Sequence, residues 1–283
     1  MHPDPQTAGL PIPYAHVSSA LSWPGFAGIS LTVLLVLVVA AFLAGAVDAV
    51  VGGGGLIQLP ALLLLLPGTA VMAVATNKVA SVVGTSAATV TYARRTPVDW
   101  RAAGLMAAAA ACGSVGGAAF ADSLPAMVLN VLVLVAIVSV GNHTFARPHL
   151  GVHHHVRFAR RKQLTAMALT GAGIGVYDGL AGPGTGSFLV FVLVGWIGYA
   201  FLAASATAKL ANVATNLGAL AYFAPHGLVV WGVGACMALG NLAGASIGAR
   251  LAIRLGSMFV RRVFLVVAGV LAVTLAVKIA ISF

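Results

Sequence analysis

The sequence predicts an all-α, polytopic membrane protein built from two related halves. Of its 283 residues, 60% are hydrophobic and only 7% are charged, whereas a soluble domain has about 25% charged residues. Apolar segments of roughly 17–25 residues recur along the chain, and each is long enough to cross a bilayer as a helix. Motifs from the first half also return in the second half. We therefore expect two inverted-topology repeats, each with a broken or re-entrant hairpin and three transmembrane helices.

The predicted elements follow the same order in each half. Residues 1–26 hold several prolines and are expected to form a loosely ordered leader. The two repeats are predicted at 27–141 and 164–283. Within the first, the apolar segment 55–66 is short for a full span, so it is expected to be one arm of a hairpin. The intervening segment 142–163 is predicted to be a basic cytoplasmic loop, because it carries Arg147, Arg157, Arg160, Arg161 and Lys162.

The repeat is visible in one long motif. "NKVASVVGTSAATVTY" at 77–92 aligns with "AKLANVATNLGALAYF" at 208–223. This alignment places two lysines of the membrane segments, Lys78 and Lys209, at equivalent positions. Two acids of the membrane segments, Asp48 and Asp178, correspond in the same way.

Loop charges indicate that the two halves have opposite orientations. The loop after the first lysine helix carries Arg94, Arg95 and Arg101, whereas its counterpart near 225–230 has neither Lys nor Arg. At the next loop the distribution reverses. Residues 121–124 lack a basic residue, whereas their counterpart carries Arg250, Arg254, Arg261 and Arg262. Positive loops lie on the cytoplasmic side, and inverted repeats with broken elements are typical of secondary transporters.

Two glycine-rich strings interrupt the apolar segments: "DAVVGGGGLIQLP" at 48–60 and "DGLAGPGTGSFLV" at 178–190. Non-helical backbone at membrane depth is tolerated only where protein or a water-filled cavity covers it. A helix that begins after each string presents free N–H groups, which favour an anion. Close helix packing through small residues is the structural alternative. The predicted backbone ligands of an anion are Gly53, Gly54, Gly55, Gly184, Thr185, Gly186 and Ser187.

Polar side chains follow each lysine at helical spacing. Steps of three and four residues place them on the same face as the lysine. A lysine beside hydroxyl and amide groups suits a small oxyanion, whereas a lysine near a helix end can also snorkel to the interface. The predicted side-chain ligands are Lys78, Asn77, Ser81 and Thr85 in the first half, and Lys209, Asn212 and Asn216 in the second.

Asp48 and Asp178 are unusual because a charge within a membrane segment is costly and is usually functional. Three roles stay open for them: coupling transport to a proton or cation, neutralising the lysines, or holding the glycine turns by accepting N–H bonds. No cofactor is expected. The histidines of "HLGVHHHVRF" at 149–158 lie in a basic loop without Cys or nearby acid, so no metal site is predicted. The net charge of +10 resides mostly in loops and does not indicate a nucleic-acid partner.

Four motifs resemble the TauE/SafE sulfite exporter family: "AGAVDAVVGGGGLIQLPALL" (44–63), "ATNKVAS" (75–81), "GVYDGLAGPGTGSF" (175–188) and "AKLANVATNLGAL" (208–220). The resemblance covers both halves. It implies a multi-pass transporter of the cytoplasmic (inner) membrane for small sulfur-containing anions such as sulfite or organosulfonates. Exact substrate, direction of transport, coupling ion and oligomeric state do not follow from it.

The predicted function is alternating-access transport rather than an enzymatic reaction. A passive anion channel could use the same lysines, and accumulation against a gradient separates the two. An intramembrane aspartyl protease would use Asp48 and Asp178 as a catalytic pair. Proteases of that type have a Gly-x-Gly-Asp element around the second acid, whereas the glycines of this sequence follow the acid. The two lysines would also have no role in a protease. A scaffold protein would not need buried lysines.

Overall fold

The computed structural model describes residues 25–121 and 155–281, and its regular elements are helical. In this part of the chain the first half contributes α1 (Leu31–Val51), α2 (Gly55–Leu65), α3 (Ala70–Ala93) and α4 (Trp100–Ala119). The second half contributes α5 (Arg160–Leu180), α6 (Thr185–Val192), α7 (Phe201–Phe223) and α8 (Trp231–Ile281). A π-helical turn, Leu193–Ile197, extends α6, and α8 is broken at Gly256.

Several sequence predictions fall outside the described residues. These are nearly all of the leader 1–26, the end of the first repeat beyond residue 121, and most of the loop 142–163 with its histidines up to residue 154. The end of that loop differs from the prediction, because α5 already begins at Arg160. Its first turn is basic and therefore lacks the apolar pattern that marked the helix. The Arg160 guanidinium bonds the carboxylate of Asp99 and holds the pKa of Asp99 below its ordinary value.

Three helices of the described residues are long and apolar enough to cross a membrane: Leu31–Val51, Trp100–Ala119 and Trp231–Val267. Their starts are defined by local chemistry as well as by hydrophobicity. The Ser30 hydroxyl accepts from Val33 N at 3.3 Å at the start of α1. The Asp99 carboxylate accepts from Ala102 N at 3.2 Å at the start of α4. Such N-caps satisfy amides that have no partner within the helix.

Two glycine seams bring long helices into close contact. On α8 the glycines face Val38, Phe42 and Ala46 of α1, in the order Gly240, Gly244 and Gly248. On α5 the glycines face Met106, Ala110 and Ser114 of α4, in the order Gly171, Gly175 and Gly179. Each step of four residues on one helix matches a step of four on its partner, so both pairs run parallel. Small residues at every contact let the backbones approach, as is common between membrane helices.

Both glycine-rich strings turn the chain back toward the end from which it came. Ile29, before α1, and Leu66, after α2, lie in one hydrophobic cluster. In the second half, the amide of His155 donates to the Gly198 carbonyl at 2.9 Å, which places the start of α5 beside the end of the α6 extension. Gly52 and Gly184 have left-handed backbones, with φ of 84° and 80°, a conformation that favours glycine. Each segment is therefore a hairpin with a long first arm and a shorter second arm.

The glycine seam on α5 allows a matched test. A Cβ added at Gly175 would lie 2.9 Å from the Ala110 Cα, whereas one added at Gly173 meets nothing within 4 Å. We expect Gly175→Ala to lower the free energy of unfolding by about 1–3 kcal/mol, because the helices must separate. Gly173→Ala should be neutral or stabilising by up to about 1 kcal/mol. Unfolding of the purified protein in detergent measures both, and equal effects would contradict the seam.

Candidate functional site

Two buried ion pairs connect the halves. The Lys78 ammonium lies 2.6 Å from Asp178 Oδ2 and also donates to the Asp178 carbonyl at 2.9 Å. The Lys209 ammonium lies 2.7 Å from Asp48 Oδ2 and also donates to the Asp48 carbonyl. The lysine side chains are 1% and 0% exposed. Each lysine helix is thus joined to the broken helix of the other half, and the four charges cancel, as burial requires.

The second carboxylate oxygens hold the glycine turns. Asp48 Oδ1 accepts from the Gly54 amide at 3.3 Å, and Asp178 Oδ1 accepts from the Thr185 hydroxyl at 2.6 Å. Two of the roles that the sequence left open are therefore visible as contacts, namely neutralising a lysine and fastening a turn. Each aspartate makes both contacts at once.

A small polar cavity lies where the hairpins meet the lysine helices. Its free volume of about 20 Å³ has room for one or two water molecules. It gathers residues that are far apart in the sequence, from both hairpins and from α3 and α7. Its walls are formed by Asp48, Gly52, Gly55, Asn77, Lys78, Ser81, Thr85, Asp178, Gly182, Gly184, Thr185, Gly186, Asn212 and Asn216.

Four of the predicted ligands lie outside the cavity wall: Lys209, Gly53, Gly54 and Ser187. Lys209 is directed to Asp48 instead. The Ser187 hydroxyl donates to the Val51 carbonyl at 3.0 Å, and its amide donates to the Gly52 carbonyl at 3.2 Å. Ser187 therefore fastens one hairpin to the other.

The polar stripes of α3 and α7 use equivalent hydrogen bonds. The Thr85 hydroxyl donates to the Ser81 carbonyl at 2.7 Å, and the Asn216 amide donates to the Asn212 carbonyl at 2.7 Å. The side-chain oxygens of Asn77 and Asn212 are buried and have no partner among the described residues. Since buried polar atoms are normally satisfied, these two oxygens are free to accept a hydrogen bond from a donor that reaches them.

Sequence reasoning missed the residues that cap the end of α1. The Tyr92 hydroxyl donates to the Ala49 carbonyl at 2.8 Å, and the Ser205 hydroxyl donates to the Val50 carbonyl at 2.8 Å. The Ser187 hydroxyl donates to the next carbonyl, that of Val51. Three consecutive carbonyls at the end of α1, which the helix itself leaves unpaired, therefore accept hydrogen bonds from side chains. Ser205 could have been found, because it lies one helical turn before Lys209. Tyr92 aligns with Phe223, so the repeat gave no signal for it.

A second missed feature is a buried amide pair outside the cavity wall. Asn241 Nδ2 donates to Gln58 Oε1 at 2.7 Å, and the two residues are 4% and 1% exposed. The pair joins the returning arm α2 to α8. Asn241 belongs to neither a lysine stripe nor a glycine string, and Gln58 lies in the first string but after its glycines. The motifs therefore gave no reason to select either residue.

Broken helices, buried paired charges and several apolar spans define a multi-pass membrane transporter. The family model described as Sulfite exporter TauE/SafE matches residues 37–275, and the chain belongs to this family. The resemblance drawn from the four motifs is therefore confirmed. The family is one of transporters, so the expectation of a transporter rather than an enzyme is also confirmed.

The curated relatives cover nearly the whole chain. A probable membrane transporter protein of Sinorhizobium, ORF9, is 36% identical over 245 residues, which is 86% of this chain and 92% of that protein. The probable membrane transporter protein YfcA of Escherichia coli K12 is 34% identical over 247 residues, covering 87% and 91%. A relative from Haemophilus influenzae is 32% identical over 233 residues, covering 82% and 90%. No solved structure matches the chain significantly.

The exchanged ion pairs predict strong thermodynamic coupling. Lys78→Met leaves the Asp178 carboxylate buried without its partner, and we expect a loss of about 3–5 kcal/mol in stability. Asp178→Asn keeps an acceptor for Thr185 but leaves the lysine unpaired. The double variant should cost clearly less than the sum of the single variants. Unfolding in detergent gives the four values of the cycle, and additive costs would show that the pair is not coupled.

Proposed function

We propose that this chain is a secondary transporter of small sulfur oxyanions such as sulfite, or of organosulfonates, in the cytoplasmic (inner) membrane. The family description names sulfite export, and the curated relatives are proteins of bacteria. The observation that carries the proposal is the single cavity that both hairpins and both lysine helices line. It combines backbone, ammonium, hydroxyl and amide groups, which are the donors that a small oxyanion needs.

The proposed site binds the anion mainly through hydrogen-bond donors that are not part of the two lysine–aspartate ion pairs. The helices α2 and α6 begin at the cavity, and the first amides of a helix have no partner within it. Gly55 and Gly186 lie in those first turns and line the cavity, so the positive helix ends favour an anion there. Side-chain donors are the Ser81 hydroxyl and the amide NH2 groups of Asn77, Asn212 and Asn216. The Thr85 hydroxyl joins them by turning away from the Ser81 carbonyl.

In this proposal the anion competes with the aspartate carboxylates for the lysine ammonium groups. Lys78 lines the cavity while it is paired with Asp178, so an anion that enters shares the ammonium with that carboxylate. Lys209 lies behind the wall and is reached only if the Asp48 hairpin moves. Gly53, Gly54 and Ser187 would join the site through the same movement. Coupling to a proton or cation through the two aspartates remains part of the hypothesis.

Alternating access is supported by contacts that correspond between the halves. The packing of α1 on α8 has its counterpart in α5 on α4, and that of α3 on α8 has its counterpart in α7 on α4. This agreement supports two inverted-topology repeats, with one re-entrant hairpin entering from each face of the membrane. A cavity of about 20 Å³ holds little more than water, so substrate entry requires one half to rock against the other.

A ligand panel on the purified protein tests the proposal. We expect one member of the set sulfite, sulfate, thiosulfate, taurine, isethionate and sulfoacetate to raise the melting temperature. Ligand at 100 times its dissociation constant adds about 2.7 kcal/mol. Thr85→Val should reduce that shift, because it removes a hydroxyl from the cavity wall.

Thr89→Val is the matched control. The Thr89 hydroxyl also donates to a carbonyl one turn earlier, at 2.7 Å, but it lies outside the cavity wall. Equal shifts in the two variants, or no shift with any sulfur anion, would refute the proposed site. In proteoliposomes, accumulation of the identified anion against its gradient distinguishes a transporter from a passive channel.

A further inference from the structure

Four arginines line a second cavity, which shares no lining residue with the cavity at the paired charges. Arg94 and Arg95 follow the last turn of α3, and Arg250 and Arg254 lie on α8 before its break. They line a common space of about 480 Å³ together with Val90, Thr91 and Ile253. We propose that this cavity binds a phosphate-bearing anion, and that the preferred source is the headgroup of an anionic phospholipid.

The charge of the cavity is not balanced within the described chain. The aspartates of the described residues are Asp48, Asp99 and Asp178. Each of them forms an ion pair outside this cavity. Four arginines therefore line one cavity, and no described carboxylate lies among its lining residues. A phosphate oxyanion supplies the missing negative charge, and guanidinium groups bind it through paired N–H donors.

The surroundings of the cavity favour an amphipathic ligand over a free ion. Val90 in its wall is 49% exposed. On α8, Ile247, Leu251 and Leu255 are 52%, 41% and 49% exposed, and their spacing of four places them in one row beside the arginines. Basic pockets between membrane helices suit lipid headgroups, and this exposed apolar row is positioned to contact acyl chains.

Charge in basic loops can also reflect membrane orientation alone. Membrane orientation alone does not require arginines to gather around one cavity, as four of them do here. Arg101 and Arg262 are also exposed but do not line this cavity. The cavity further joins α3 of the first half to α8 of the second. A bound headgroup would therefore bridge the halves, and this inference does not depend on the identity of the transported substrate.

The test compares two double variants with the same change of charge. The full chain is purified in an uncharged detergent, and its melting temperature is measured with phosphatidylglycerol, phosphatidylcholine or sodium phosphate at fixed ionic strength. We expect phosphatidylglycerol to stabilise the wild type, and phosphatidylcholine to have no comparable effect. Arg94→Gln with Arg250→Gln should weaken apparent affinity at least tenfold, whereas Arg101→Gln with Arg262→Gln should retain it.

The phosphate arm identifies the source of the anion. If sodium phosphate alone reproduces the shift and its loss in Arg94→Gln with Arg250→Gln, the cavity binds a free oxyanion and the site stands. Equal lipid affinity in both double variants would overturn the site, as would the absence of stabilisation by both phosphatidylglycerol and phosphate. Should the first double variant fail to fold, Arg254→Gln is compared with Arg262→Gln on the same helix, with the same criteria.

Discussion

The structure depends on two buried charges that neither half can accommodate by itself. Among the described residues, Lys78 is neutralised by Asp178 and Lys209 by Asp48, so each half supplies the counter-ion of the other. An unpaired charge at such a position is strongly destabilising. The exchanged pairs therefore fix the two hairpins relative to the two lysine helices, and they bring polar groups from both halves to one cavity.

Glycine makes that exchange sterically feasible at two levels. Along the seams, Gly244 and Gly175 let long helices approach backbone to backbone, which brings the broken helix of each half alongside the other half. At the turns, Gly52 and Gly184 adopt backbone conformations that other residues avoid. The same residue type thus positions the helices and shapes the site at which their broken ends meet. The loops from the two halves touch there, since the Ser187 amide donates to the Gly52 carbonyl.

The sequence was most informative where it repeats itself. Equivalent lysines, equivalent aspartates and polar residues at helical spacing identified most of the cavity wall. The pairing of each lysine with the aspartate of the other half could not be deduced, because an alignment of halves matches Lys78 to Lys209 and says nothing about contacts between them. Gln58 and Asn241 were missed for a related reason, since their aligned positions in the other half carry no polar side chain. The start of α5 was misplaced because its first turn is basic.

Cancellation of charge within the core also determines how the membrane voltage acts on this protein. With two ammonium and two carboxylate groups paired, the unloaded site contributes no net charge that the field could move. At this site the charge that responds to it is that of the cargo and any accompanying ion, at about 2.3 kcal/mol per elementary charge for each 100 mV. If the cargo is the proposed anion, a negative cell interior drives the loaded form outward without further energy input. Concentrative uptake of the same anion would need either a cation that travels with it or exchange for an internal anion.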